Sequence, residues 1–424
     1  MKRVVVTGLG LVSPLANGVE NSWKRIIAGQ SGIRKLEGFD IEDLAVQIGG
    51  QVPTKIEDSV DEHSSFFNPD AYIEKREQKM MDKFCHFAMG AAHQAIQDSG
   101  WKVETEEQQE RTGVLIGSGI GGLGTLYDTS VQMYERGPRR VSPYFIVSIL
   151  SNMPSGHVAI KYGFKGPNHS CVTACATSTH AIGDAARIIM MGEADVMVTG
   201  GAEAALNPLG IAGFSACRAL ASSYNEHPKK ASRPWDKDRE GFVMGEGAGV
   251  LVLEEYEHAK KRGAKIYAEF VGYGLSGDAF HYTAPPEDGN GAHRAMKNAL
   301  KFAKMNPEMV DYINAHGTST PLGDKAEVNA AKTTFGDHVY QLTMSSTKSA
   351  TGHLLGGAGG IEAVFSILSL YYGIIPPTLN LDNPDVGFDL NFAAHTAQEK
   401  KMNVVMSNSF GFGGTNASLI FKKV

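Results

Sequence analysis

The chain has few cysteines and no long apolar run. Among its 424 residues there are four cysteines, Cys85, Cys171, Cys175 and Cys217, at irregular spacings. Such sparse cysteines are typical of free thiols in a reducing compartment rather than of a disulfide framework, so we expect a cytoplasmic protein. No stretch reaches the roughly 18 consecutive apolar residues of a membrane-spanning helix, so membrane insertion is not expected.

The chain also lacks a strong excess of charge of either sign. Its formal net charge is −6, which offers no general attraction for nucleic acid, so no nucleic acid partner is expected. A local basic patch for an acidic partner remains open. The apolar run near the N-terminus is too short for a signal peptide. It predicts a buried first strand over 3–7 that stops at Gly8 and becomes a turn.

Short β-branched runs alternate with longer amphipathic segments along the chain. Strands are predicted at 3–7, 113–117, 195–200, 250–253, 265–273, 310–315 and 403–407, and helices at 76–99, 254–262, 291–304 and 360–372. This alternation indicates an α/β protein. Residues 194–204 resemble residues 403–415, because each segment is an apolar strand that breaks into a Gly-rich turn. The likeness hints at two similar halves that meet near residue 260.

Cys175 stands among small residues just before a predicted helix. The segment NHSCVTACATSTH ends at residue 180, and AIGDAARIIMMG after it predicts a helix that ends at Gly192. At a helix N-terminus the free N–H groups and the macrodipole favour a thiolate. One alternative is a buried structural cysteine. Another is a metal site with Cys171 and His169, although that spacing matches no familiar ligand pattern.

Three further segments carry polar groups or free backbone groups in loops beside predicted strands and helices. They are NAHGTSTPLGDKAE with His316, STKSATGHLLGGAGG with Lys348 and His353, and the Gly-rich NSFGFGGTN with Phe412. Loops at strand ends are common positions for functional groups. Exposed N–H groups in the last segment could form half of an oxyanion hole. Each segment alone also fits a structural cap, turn or packing motif.

A nucleotide site near the N-terminus is a competing interpretation. GLGLVS at residues 8–13 follows the first predicted strand and resembles the start of a dinucleotide fingerprint. However, its sixth position is serine, Pro14 interrupts any following helix, and no suitable acid follows a second strand about 20 residues later. We therefore expect no nucleotide cofactor.

Taken together and in order, these segments resemble the elongating β-ketoacyl-[acyl carrier protein] synthases, most closely the type II enzymes of fatty acid elongation. The resemblance rests on VTACA, NAHGTSTPLGDKAE, STKSATGHLLGGAGG and NSFGFGGTN, and it extends from Val4 to Phe421. It implies the thiolase fold, with two related βαβαβ halves in a five-layered αβαβα core. Residues 1–260 would form the half with the nucleophile, and residues 261–424 the half with two catalytic histidines. It also implies a homodimer.

The same resemblance implies an acyltransferase that condenses acyl and malonyl groups, both carried by acyl carrier protein, with loss of carbon dioxide. Cys175 would hold the acyl group, and His316 and His353 would complete a Cys-His-His set. Lys348 and Glu327 match the positions that orient and tune the histidines. No metal or organic cofactor is implied, because the substrates arrive on the phosphopantetheine of the carrier.

The remaining matched positions surround the substrate. Phe412 matches a gating aromatic whose N–H joins that of Cys175 in the oxyanion hole. The acyl pocket is matched by Ile120 and Phe214. The phosphopantetheine channel is matched by Thr283, Thr318 and Thr320. The basic positions that meet the acidic carrier protein are matched by Arg76, Lys79, Arg139, Arg140 and Arg218.

Two positions depart from the family pattern, and three related classes differ from it. Ser178 stands where glycine is usual, and Met80 stands where a basic residue is common. Initiating synthases carry asparagine in place of His353, and chain-length factors replace the cysteine at 175. A degradative thiolase acting on coenzyme A esters would carry a second cysteine near its C-terminus, where NSFGFGGTN has none.

Overall fold

The computed structural model of the protein describes residues 1–55 and 63–424. Its helices are α1 (Val19–Ile27), α2 (Lys75–Gln78), α3 (Lys83–Ser99), α4 (Glu106–Glu110), α5 (Leu123–Arg136), α6 (Phe145–Ile149), α7 (Met153–Tyr162), α8 (Thr177–Met191), α9 (Pro208–Ala216), α10 (Tyr256–Lys261), α11 (Asn290–Ala303), α12 (Pro321–Phe335), α13 (Lys348–Thr351) and α14 (Ala358–Tyr372). Its strands are β1 (Val4–Val12), β2 (Arg34–Lys35), β3 (Ile48–Gly49), β4 (Thr112–Gly117), β5 (Asn168–His169), β6 (Val196–Glu203), β7 (Gly247–Glu255), β8 (Ala268–Gly277), β9 (Tyr312–Asn314), β10 (Thr343–Ser345), β11 (Ile374–Ile375), β12 (Gln398–Glu399), β13 (Val404–Gly411) and β14 (Thr415–Lys422).

Within the described residues, ten strands form one mixed sheet in the order β10-β9-β13-β14-β8-β1-β7-β6-β4-β5. The strands that follow residue 260 occupy one side of this order, and the earlier strands occupy the other. The two sides meet where Val4–Val6 of β1 pair with β8, whereas β1 pairs with β7 along almost its full length. The predicted division of the chain at residue 260 stays a prediction.

The sheet separates three layers of helices because its side chains alternate between two faces. On β7, Leu251 and Leu253 face a core that contains α8, α14 and strands from both sides of the sheet. Val250 and Val252 face a second core, closed by α3 and α7. A third core lies between α11, α12 and the outer face of the later strands. The order of layers is therefore αβαβα, with α8 and α14 in the middle.

Helix α14 is apolar on nearly every side, as a helix enclosed between the two sides of the sheet must be. Leu355–Tyr372 is long and apolar enough to cross a membrane, but 89% of it is buried inside the protein. Close packing depends on glycine here, because a Cβ at Gly360 would lie 2.5 Å from the carbonyl oxygen of Gly249. The helix is thus the centre of the core.

The first strand is longer than the sequence predicted. The turn expected at Gly8 was wrong, since β1 continues to Val12. Gly8 and Gly10 lie against α3, where a Cβ would come within 2.1 Å of the Ala95 oxygen and 1.8 Å of the Ala91 oxygen. These glycines therefore permit close packing of a helix on the strand rather than a change of direction.

Other predicted boundaries also moved. The helix predicted over 76–99 is divided, because the Asp82 side chain accepts the N–H of Phe84 and begins α3 there. The strand predicted over 195–200 continues through its glycines to Glu203. The strand predicted over 403–407 continues to Gly411 and turns back at once into β14. The Gly-rich segment after it is therefore the turn of a hairpin.

Candidate active site

A cavity of about 380 Å³ is lined by residues from both parts of the chain. Cys175 and Phe214 come from the first part, and His316, His353 and Phe412 come from the second. The topology thus brings together the nucleophile candidate and the two histidines that the sequence singled out. Cys175 precedes the nearer histidine, His316, by 141 positions along the chain.

Cys175 lies in a single 3-10 turn that leads directly into α8. The predicted helix and its end at Gly192 are confirmed, and Gly192 adopts the left-handed conformation usual after a helix. Ala174, just before the cysteine, has φ of +48°, which L-residues rarely adopt. The turn therefore holds Cys175 at the N-terminus of α8 by a strained backbone.

Burial dominates the electrostatics of the cysteine. It raises the pKa of the Cys175 thiol to about 12, whereas the charge of Lys348 and the backbone N–H of Phe412 act in the opposite direction. The position at the start of α8 alone therefore does not produce the thiolate that the sequence pattern favoured. A thiolate at this site depends on Lys348 and on the Phe412 N–H.

His316 and His353 are buried next to each other, with ring centroids 5.3 Å apart and ring planes at 88°. Burial lowers the pKa of both rings well below the usual value, and Lys348 lowers both further. Within residues 1–55 and 63–424, the buried Nδ1 atom of each ring has no hydrogen-bond partner, and both residues line the cavity. Two neutral imidazoles are thus available to a bound molecule.

Glu327 holds the loop that carries His316. Its carboxylate accepts the backbone N–H of His316 at 2.9 Å and that of Gly317 at 2.7 Å, and the Asn408 amide approaches it at 3.3 Å. Burial raises the pKa of Glu327, while these hydrogen bonds lower it. The residue therefore positions His316 through the main chain.

Lys348 lies beneath the two histidines and is almost fully buried. Its ammonium group pairs with the carboxylate of Glu362 on α14. Burial raises the pKa of Glu362 to about 7, and Lys348 opposes that change. The backbone of His353 is fixed separately, because its N–H donates to the Val243 oxygen at 2.7 Å and its oxygen accepts from Gly245 at 2.8 Å.

The turn between β13 and β14 packs directly on the nucleophile. The Thr415 hydroxyl donates to the Thr173 oxygen at 3.0 Å, and a Cβ at Gly411 would lie 3.1 Å from the Cys175 nitrogen. The backbone N–H of Phe412 is close enough to the Cys175 thiol to lower its pKa. Two backbone N–H groups, those of Cys175 and Phe412, therefore lie on the same side of the cavity.

Of the residues expected to contact the substrate or the carrier protein, some line the cavity and others lie outside it. Phe214 lines the cavity, with its ring 6.5 Å from that of Phe412. The threonines Thr283, Thr318 and Thr320 line it too. Ile120 does not line it, and is 41% exposed on the loop after β4. Arg218 lies at the mouth, whereas the remaining four basic residues, Arg76, Lys79, Arg139 and Arg140, are exposed elsewhere on the surface.

Two buried acids near the site were missed at the level of sequence. Glu362 is the single acid in an otherwise apolar helix, which is a usable signal of a buried partner. Glu203 ends β6, accepts the Ser118 hydroxyl and the Gly356 N–H, and has its pKa raised to about 7 by burial. Ser178, the departure from the family pattern, donates to the Gly356 oxygen.

We expect the rings of His316 and His353 to remain neutral through pH 6.5, because burial and Lys348 lower both pKa values. Histidines of an unfolded chain have a pKa of about 6.5. Because the unfolded chain then binds protons that the buried rings cannot, these two residues lower the free energy of unfolding as the pH falls below that value. Nitrogen NMR of the rings, assigned with His316→Gln and His353→Gln, measures their titration. A midpoint at or above 6.5 for either ring would contradict the expectation, and Lys348→Met should raise both midpoints.

Two family models match the chain. The model for the Beta-ketoacyl synthase, N-terminal domain matches residues 1–259. The model for the Beta-ketoacyl synthase, C-terminal domain matches residues 267–382. Together they span most of the chain and include the cysteine and both histidines.

The chain is 54% identical over 423 residues to 3-oxoacyl-[acyl-carrier-protein] synthase 2 of Rhizobium meliloti (strain 1021), covering 100% of this chain and 99% of that protein. It is 52% identical over 435 residues to the mitochondrial 3-oxoacyl-[acyl-carrier-protein] synthase of Arabidopsis thaliana, covering 100% and 94%.

Solved structures agree with these relatives. A Beta-ketoacyl synthase from Burkholderia phymatum STM815 superimposes with a TM-score of 0.90 at 35% identity, covering 100% of both chains. A type II PKS ketosynthase, bound to a hexaketide and in complex with its acyl-carrier protein, gives a TM-score of 0.89 at 34% identity, covering 100% of this chain and 99% of that one. The fold is therefore the thiolase fold, and the chain belongs to the beta-ketoacyl synthase family as a condensing acyltransferase of fatty acid elongation.

Proposed function

We propose that this enzyme transfers an acyl group from acyl carrier protein to Cys175 and condenses it with malonyl-carrier to give 3-oxoacyl-carrier. The observation that carries the proposal is the shared cavity of Cys175, His316 and His353 above the buried Lys348–Glu362 pair. A nucleophile, two neutral hydrogen-bond donors and a nearby cation are the groups that a decarboxylative condensation requires.

The first step exchanges one thioester for another. The sulfur of Cys175 attacks the carbonyl carbon of the acyl-carrier thioester, and the carbon–sulfur bond to the carrier breaks. The carrier leaves as a thiol with the proton that the cysteine gave up. The N–H groups of Cys175 and Phe412 would stabilise the negative oxygen of the tetrahedral intermediate.

The second step forms the carbon–carbon bond. Malonyl-carrier loses carbon dioxide, and the electron pair of the broken bond passes into an enolate of its thioester. His316 and His353, held neutral by burial and by Lys348, would donate hydrogen bonds from Nε2 to that oxygen. The nucleophilic carbon then attacks the acyl carbonyl on Cys175, the bond between the carbonyl carbon and the cysteine sulfur breaks, and the cysteine leaves as a thiolate that takes up a proton from solvent.

These roles need neither a metal nor an organic cofactor. The hydroxyls of Thr283, Thr318 and Thr320 line the entrance and suit the amides of a phosphopantetheine arm. Phe214, which lines the cavity, would border the acyl chain. Ile120 lies outside this cavity and would border a more distant part of the acyl chain. The four free cysteines support a cytoplasmic location, which subcellular fractionation measures.

We expect Cys175→Ala to abolish the covalent acyl adduct, because no other described thiol both stands at the start of α8 and lines the cavity with His316 and His353. Intact-protein mass spectrometry after incubation with acyl-carrier protein measures the adduct. Cys217→Ala is the matched control, since Cys217 also lines the cavity but is exposed. His353→Ala should still form the adduct but release little carbon dioxide from malonyl-carrier. Adduct formation by Cys175→Ala, or loading from acyl-coenzyme A alone, would refute the proposal.

Docking of the acidic carrier protein is supported by the basic residues at the surface. Arg218 lies two residues after the end of α9, lines the cavity and is exposed. The other cations, Arg76, Lys79, Arg139 and Arg140, are also exposed. On a chain with a net charge of −6, such cations would steer a negatively charged partner locally.

We expect Arg218→Glu to raise KM for acyl-carrier protein by about tenfold or more, since it replaces attraction by repulsion at the entrance. Steady-state kinetics with acyl-carrier protein and with a small acyl thioester separates docking from chemistry. Lys102→Glu makes the same charge change at an exposed position and should have little effect. An equal loss with both substrates for Arg218→Glu would argue against a docking role.

A homodimer is supported by an apolar surface near the free edge of the sheet. Strand β5 ends the sheet, is exposed and is contacted by α7, which packs on α6; α6 in turn contacts α5, which has no buried residue. The apolar side chains exposed on α5, α6 and the adjoining turns include Leu126, Met133, Tyr144, Ile146 and Leu150. An open strand edge flanked by apolar groups is typical of a two-fold interface.

We expect a solution mass of twice the 45.5 kDa of one chain, measured by sedimentation equilibrium. Ile146→Asp should shift the equilibrium to the single-chain mass, because Ile146 is 59% exposed within the apolar surface. Met309→Asp introduces the same change at a side chain that is 48% exposed elsewhere and should leave the dimer intact. A single-chain mass for the unaltered protein would disprove the dimer.

A further inference from the structure

A second cavity, of about 200 Å³, lies apart from the proposed active site. It is bordered by the C-terminal part of α1, the loop that follows it, and a short turn near residue 229. Its charged lining residues are Arg25, Arg34 and Lys229, and no carboxylate of residues 1–55 or 63–424 lines it. Gln30 and Ser31 add neutral polar groups. Three cations around one cavity are unexpected on a chain with a net charge of −6.

These cations are not neutralised by ion pairs. Arg25 donates to the Leu15 oxygen at 2.5 Å, and Arg34 donates to the Gln51 oxygen at 2.7 Å. In residues 1–55 and 63–424, none of the three cations has a carboxylate within salt-bridge distance. Their positive charge therefore remains available inside the cavity.

Arg34 is partly withdrawn from water as well. Burial lowers the pKa of its guanidinium, and the more distant Glu37 and Glu246 offset that change only in part. A desolvated guanidinium without an ion pair is costly, and a bound anion reduces that cost. The planar arginine group also binds phosphoryl oxygens in pairs.

One lining residue of the cavity is hydrogen-bonded to α13, the short helix that begins at Lys348. The N–H of Gly32, which lines the cavity, donates to the Ala350 oxygen of α13 at 2.8 Å. Lys348 is in the same short helix, and its carbonyl oxygen accepts the Ser232 hydroxyl at 2.8 Å. An occupant of the second cavity would thus contact a segment joined by hydrogen bonds to the backbone of α13.

We propose that this cavity is a binding site for a small anion bearing one or more phosphoryl groups. Three cations suit a ligand with several negative charges better than a single carboxylate. The volume of about 200 Å³ admits a group of the size of pyrophosphate, and the opening leaves room for a larger substituent outside.

Isothermal titration calorimetry of the full-length protein with sodium pyrophosphate tests the proposal. Arg25→Gln combined with Lys229→Gln should weaken binding at least tenfold. Lys102→Gln combined with Lys423→Gln removes the same charge at exposed positions and should leave binding within about twofold. Absence of binding to the unaltered protein, or equal loss in both double variants, would overturn the proposal.

Two further measurements separate the possible sources of the phosphoryl group and guard against misfolding of the variant. Tighter binding of adenosine diphosphate than of pyrophosphate would support a nucleotide ligand, and the reverse order would support a free polyphosphate. A crystal of the unaltered protein grown with pyrophosphate should show the anion between Arg25, Arg34 and Lys229. Density for the anion only at lattice contacts would also overturn the site.

Discussion

The buried cation of Lys348 acts on all the titratable groups that surround it in the proposed active site. Its charge lowers the pKa of His316, His353 and Cys175, each of which burial also affects strongly. For the histidines the two effects act together, and both rings are neutral. For the cysteine they act against each other, so that the cation partly compensates for burial. Glu362 makes this arrangement stable, because an unpaired ammonium group at the centre of the protein would be very costly.

The middle layer of helices determines where the ion pair of Lys348 and Glu362 can lie. Helix α8 begins just after the cysteine, and α14 carries Glu362 into the core that both sides of the sheet share. Small residues allow the two helices to approach closely, since a Cβ at Gly359 would lie 2.1 Å from the Thr179 hydroxyl. The catalytic groups are therefore supported by the most enclosed part of the fold, where a displacement would disturb packing on both sides.

Three regions of the surface differ in charge and polarity, and each suits a different partner. Cations at the mouth suit the acidic carrier, apolar groups near β5 suit a second copy of the chain, and the cavity with Arg34 suits a small anion. The overall charge of −6 hides these differences, since each depends on a few neighbouring side chains. The anion cavity and the proposed active site share no lining residue, but Gly32 of the first is hydrogen-bonded to Ala350 of α13, and His353, which follows α13, lines the second.

The sequence by itself determined the family, the α/β class and the residues of the four segments around Cys175, His316, His353 and Phe412, because such strings and strand–helix alternation are local features. It also indicated Cys175 at a helix start. Tertiary structure alone decided that β1 continues through Gly8 and Gly10. These glycines are needed because α3, a helix some 80 positions away, packs closely against them. It likewise decided that Glu362 neutralises Lys348 and that burial outweighs the helix start at Cys175. The burial of a charged group and its pairing with a distant residue both depend on which side chains the fold brings together in the core. A local sequence pattern contains no information about those neighbours.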